Sequence, residues 1–91
     1  MRVATALLLV ELSLAGVTQA ATVSQGRAAY DDNKVAEAEK IYAAVAADAG
    51  ASAAERAAAQ RELARIAWLI DGNDKAALDH LLAAKMLGDN R

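Results

Sequence analysis

Gly26-Arg27-Ala28-Ala29-Tyr30-Asp31-Asp32-Asn33-Lys34-Val35-Ala36-Glu37-Ala38-Glu39-Lys40-Ile41-Tyr42 sets a polar break, Asp31-Asp32-Asn33, between two stretches of helical spacing. Before the break, Val23, Gly26 and Tyr30 share one face of a helix expected over residues 21–30, with Gly26 small enough for another backbone to approach closely. After it, from Lys34 to Ala49, Val35, Ala38, Ile41, Tyr42, Val45 and Ala49 follow the i, i+3, i+4, i+7 rule, and Glu37 and Lys40 fall on the opposite face. Two helices joined by so short a break must fold back on each other as an antiparallel hairpin.

Towards the C-terminus two more breaks follow, Gly50-Ala51-Ser52 and Asp71-Gly72-Asn73. Ser52 with Glu55 three residues on has the pattern of a capping box and starts a third helix, expected to reach about Ile70. Ala59, Leu63, Ile66, Ala67 and Ile70 make one apolar stripe on it, and Ala57, Ala64 and Trp68 an adjacent one, so neighbours are expected on both sides. A fourth helix, from about Asp74 to Leu87, is expected to turn Leu78, Leu81 and Leu82 inward, with Asp74 favoured by the N-terminal dipole and Gly88 ending it in the left-handed conformation. The fold class is therefore all-α, two antiparallel helix hairpins stacked as a short α-solenoid. A shift of 39 residues lays Asp32-Asn33 on Asp71-Gly72, Ala38 on Ala77, Tyr42 on Leu81 and Ala29 on Trp68, as a repeated helix pair requires.

Towards the N-terminus, Met1-Arg2 gives a short positive start, Val3 to Val17 is mostly apolar, and Thr18-Gln19-Ala20 places small residues before a cleavage point. Residues 1–20 are read as a secretory signal and residues 21–91 as the helical-repeat domain, which the abrupt end after Gly88 leaves incomplete as a solenoid. The apolar run is shorter than the about 20 residues of a membrane span and carries Glu11, so no stable span is expected after cleavage. The expected compartment is the periplasm or the exterior.

Composition narrows the chemistry. Alanine accounts for 26 residues, proline and cysteine are absent, and the net charge is −2. Without cysteine there are no disulfides, thiol nucleophiles or thiolate metal sites, and the charge balance disfavours nucleic acid as a partner. After Ala20 few apolar residues are larger than alanine, so either the helices approach closely through alanine or further chain or a partner completes the structure.

Against this background the stretch from Gly26 to Tyr42 resembles a tetratricopeptide repeat, with Gly26, Tyr30, Asn33, Ala38 and Tyr42 at that family's small, aromatic, turn, alanine and aromatic positions. Asn33 stands for the turn glycine and Gly50 where the family carries proline. In the second unit Trp68, Gly72, Ala77 and Leu81 fit, and the segment from Ala77 to Asp89 is also similar to Sel-like repeats, whose units are longer. Either resemblance spans about Val23 to Asp89 and implies a non-catalytic scaffold for a protein or peptide partner, with no cofactor.

No catalytic constellation is read from the sequence. His80, the single histidine, has Ala76, Ala77, Ala83 and Ala84 as its helical neighbours, which supply neither ligand nor acid–base partner. Asp31-Asp32-Asn33 lacks the spaced oxygen ligands of a calcium loop and reads as a turn. Ser52 is accounted for as a cap, Ser13 lies in the leader and Ser24 near the mature start. The binding candidates are Arg61 and Arg65, four apart on the third helix, where they would grip acidic side chains or a C-terminal carboxylate on the inner surface of the solenoid. The expected function is an exported scaffold for protein–protein interaction. The alternatives are the N-terminal accessory region of a larger periplasmic enzyme and a small self-associating helix bundle.

Overall fold

The computed structural model describes residues 20–88, so the leader reading lies almost wholly outside the described residues. Among these residues four helices follow one another: α1 Val23–Asp31, α2 Val35–Ala47, α3 Ala53–Leu69 and α4 Asp74–Met86. Each packs on its neighbour in the chain, and α1 also touches α3, so the described residues form two antiparallel hairpins laid side by side. There is no strand among the described residues. The expected ends were one or two residues too generous, most visibly at Ala49, which lies beyond the end of α2.

Local chemistry accounts for each boundary. Thr22 opens α1 with a complete capping box, its hydroxyl accepting from Gln25 N and the Gln25 side chain accepting from Thr22 N. α1 ends where Asn33 takes φ 64°, which lets Lys34 N–H reach back to Ala29 O at 2.9 Å. Gly72 repeats that left-handed turn at φ 63° after α3, so the 39-residue shift carries one turn onto the other at the level of the backbone. Gly88 closes α4 with φ 98°, as its place in the sequence implies.

At the start of α3 the Ser52 hydroxyl accepts from Glu55 N at 3.0 Å, the first half of the expected capping box. The other half is diverted. Glu55 Oε2 accepts from Val23 N at 2.9 Å and so caps α1 rather than its own helix. One carboxylate thereby ties the N-termini of two parallel helices, whose free N–H groups and positive dipole ends favour it. Arg56 Nε donates to Ala46 O at 3.2 Å, satisfying the end of α2 from the opposite direction.

The core lies between the first hairpin and one stripe of α3: Val23, Ala29, Ala38, Tyr42, Val45, Ala59, Leu63 and Ile66. Gly26 was expected to admit another backbone, but it admits the ring of Tyr42, which fills the space a Cβ would take and is 1% exposed. The second stripe of α3, Ala57 and Ala64, is buried on the side where α4 packs, as two stripes with two neighbours require. The expected burial of five residues fails here. Trp68 is 61% exposed and Ile70 52%: Ile66 and Ala67 take the buried side of the last turn of α3, which leaves Trp68 on its open side, and Ile70 lies beyond the helix end. On α4 the residues buried are Ala77 and Ala84, while Leu78, Leu81 and Leu82 stay about half exposed, Leu78 and Leu81 along the edge of the contact with α3. Alanine lets two helix backbones approach closely, so α4 meets α3 through its small face and leaves its leucine face uncovered.

Candidate functional site

The two hairpins differ in how they close, and that difference makes the site. The 39-residue shift that lays Asn33 on Gly72 also lays Gly26 on Arg65 and Tyr42 on Leu81. In the first hairpin the aromatic ring closes down on a glycine. In the second an arginine side chain stands in place of the glycine and a leucine in place of the ring, and Leu81 remains 49% exposed. The hairpin therefore opens into a groove of about 690 Å³ between the C-terminal half of α3 and the N-terminal half of α4. Trp68, Leu78 and Leu81 form its apolar wall, and Arg61, Arg65 and Asp74 are among its polar lining.

Arg61 and Arg65, four apart on α3, are both exposed and both line this groove. Arg65 has a partner, its Nη1 lying 3.6 Å from Glu62 Oε1. Glu62 also bonds Arg27 of α1 at 3.1 Å, which pins the carboxylate between α1 and α3 and orients Arg65 from below. This cluster borders a second, smaller hollow lined by Arg27, Tyr30, Asp31, Tyr42, Glu62, Arg65 and Ile66, so Arg65 stands on the ridge between the two concavities. Burial pushes the Tyr42 phenol above its ordinary pKa of 10.0, and the nearby Glu62 charge pushes it the same way.

His80 has a partner that its own helix could not reveal. Its Nδ1 is 2.7 Å from Gln60 Oε1 on α3, an interhelical hydrogen bond in which the ring N–H donates to the amide oxygen. Gln60 is neither acid nor base, so the bond positions α4 against α3 without priming the imidazole for proton transfer. Asp31, Asp32 and Asn33 are the exposed turn expected of them. Among the described residues no group of His, Asp or Glu gathers in a metal-holding arrangement, and apart from the Tyr42 phenol no polar or charged side chain is buried. No described helix is long and apolar enough to cross a membrane.

The sequence signal for the groove was available in the repeat alignment. An arginine on the glycine register predicts that the following aromatic-type position cannot close. Attention to the leucines alone missed it, because leucines at helical spacing are ordinarily core. Compared with known protein families, curated proteins and solved structures, the chain matches none.

Proposed function

We propose that this chain is an exported, non-catalytic helical-repeat scaffold of the tetratricopeptide or Sel-like kind, and that it serves protein–protein interaction in the periplasm or outside the cell. The observation that carries the reading is the outward leucine face of α4 beside the Trp68 groove. An exposed apolar face of this kind, edged by charge, is what a protein interface looks like before it is filled. Arg61 and Arg65 form the positive rim that would orient acidic groups of whatever protein enters. The repeat-type resemblance is supported by the paired left-handed turns at Asn33 and Gly72 and by the equivalently buried Ala38 and Ala77. Export rests on the sequence of residues 1–20, and a mature chain beginning at Ala21 by intact-mass measurement is its expected outcome.

The interaction reading is tested by placing a photo-crosslinking amino acid at Trp68 in the cells that produce the protein. A control at Glu39, exposed on α2, reports random encounters. Discrete crosslinked products from position 68 and none from position 39 are expected. Equal yields at both, or none at either, would overturn the reading.

A further inference from the structure

The outer face of α4 is complementary to itself. Asp74, Leu78, Leu81 and Lys85 stand at spacings of four, three and four along the helix, the repeat of a coiled-coil seam, and all four are exposed. Leu82 and Met86 widen the seam on one side, and Trp68 lies across the groove on the other. The seam is acidic at its N-terminal end, apolar in the middle and basic at its C-terminal end. When two such helices run antiparallel about a two-fold axis between Leu78 and Leu81, Leu78 faces Leu81 of the partner subunit. The same step along the helix brings Asp74 to Lys85 of the partner subunit, and symmetry gives the reciprocal pair.

We propose that the occupant of this face is a second copy of the chain, paired antiparallel through α4. The inference rests on the reading of this face as a protein interface and names what fills it. Size supports it. Trp68, Leu78, Leu81, Leu82 and Met86 are 49–88% exposed, which at about 150–200 Å² for a large side chain is roughly 500 Å² of apolar surface. An interface is a little over half apolar, so with its charged rim the face approaches the about 800 Å² per partner of a standard complex. Heterologous stacking, in which the open face of one copy meets the α1 end of another, would grow without limit, whereas the two-fold arrangement closes.

The test is sedimentation velocity on the full chain as the cells process it, from about 1 to 100 μM, a range that brackets a dimer of moderate affinity. A dimer is expected. Leu78→Glu with Leu81→Glu should leave a monomer whose far-UV circular dichroism stays helical. Asp74→Lys alone and Lys85→Asp alone each set like charges opposite one another twice per dimer and should raise Kd about tenfold. The double swap, Asp74→Lys with Lys85→Asp, recreates both pairs with reversed polarity and should bring Kd back to within about threefold of the parent. Because both swaps oppose the dipole of α4, recovery by the double variant cannot come from helix stability. A chain that stays monomeric at the highest concentration, or a dimer that the double swap does not restore, overturns the proposal. Monomers together with crosslinks from position 68 to other proteins would overturn only the second copy. An absence of crosslinks would remove the interaction reading as well.

Discussion

Replacing Gly26 with alanine sets two opposed effects against each other. In an exposed helix interior the change stabilises by about 1 kcal/mol, because glycine surrenders more backbone freedom on folding. At Gly26 the added Cβ would meet the Tyr42 ring at 2.6 Å from Cδ1 and 2.9 Å from Cζ, and closer still to Cε1, whereas carbon atoms in ordinary contact sit about 3.5–4.0 Å apart. Tyr42 is buried in the core and has nowhere to retreat without disturbing it. Overpacking costs about 1–3 kcal/mol, and approaches this far inside ordinary contact fall in the upper part of that range, about 2–3 kcal/mol, so the net effect is a loss of about 1–2 kcal/mol once the propensity gain is subtracted. For a domain of this size that is a fall in Tm of about 5–15 °C. Urea denaturation followed by far-UV circular dichroism measures it, and Ala28→Gly on the exposed side of the same helix serves as the control, with a loss of about 1 kcal/mol from propensity alone. A Gly26→Ala protein as stable as the parent would mean that the ring does not rest on the glycine, and the explanation of the groove by Arg65 at the equivalent register would fall with it.

Three further outcomes follow from the turns, the shared cap and the buried phenol. Asn33 holds φ 64°, so Asn33→Gly should keep or raise stability while Asn33→Ala loses about 1 kcal/mol, both read from denaturation midpoints. Glu55→Ala removes the acceptor of Val23 N–H and should cost about 1–3 kcal/mol, with the amide exchange of the first turn of α1 accelerated more than that of α3. The phenol of Tyr42 has its pKa raised by burial and then by Glu62, so the folded state holds that proton more tightly than the unfolded chain. Stability from this source is complete below the ordinary tyrosine pKa and is lost as pH rises through it towards the folded value. Tyr42→Phe should flatten that alkaline decline, and a decline of unchanged slope would refute the assignment.

What the sequence makes legible is local, and what it hides depends on which neighbour arrives. The helices, the left-handed residues at Asn33, Gly72 and Gly88, the Ser52 cap and the two-sided stripe of α3 follow from periodicity and from backbone chemistry within a few residues. The inward side of α4 does not. Its leucine stripe and its Ala77 and Ala84 stripe are both helically spaced, and hydrophobicity alone selects the leucines. The observed choice reflects the approach distance that Arg65 and the small face of α3 allow, which is a property of the pair of helices. Glu55 failed in the same way: its spacing from Ser52 is right for a reciprocal cap, but the free N-terminus of α1 competes for the same carboxylate. That Arg61 and Arg65 share one face of α3 was legible from their four-residue spacing, whereas the groove they line depends on where α4 packs. The apolar half of that groove was missed because its leucines had been assigned to the core.

The asymmetry between the hairpins has an energetic consequence for α4. Between α1, α2 and α3 the buried side chains include Tyr42, Val45, Leu63 and Ile66, each worth about 1.5–3 kcal/mol when fully removed from water. The inward face of α4 buries Ala77 and Ala84, whose methyl groups contribute about 0.8 kcal/mol each. A helix of 13 residues is marginal by itself in water, within the range of about 12–15 residues at which even alanine-rich sequences only begin to hold. α4 should therefore open as a unit at a free energy well below global unfolding. Native-state hydrogen exchange at low micromolar concentration should find its amides exchanging sooner than those of α2 and of the middle of α3. If the leucine face is covered by a second copy, protection in α4 must rise with protein concentration, by up to about 0.7 kcal/mol for each tenfold increase, since free monomer grows only as the square root of the total, while α2 stays nearly constant. Protection in α4 equal to that of α2 in dilute solution would show that alanine contacts and the His80–Gln60 bond hold this helix unaided. The outward leucines would then be a surface the fold can leave bare, and the physical case for an obligatory neighbour would be gone.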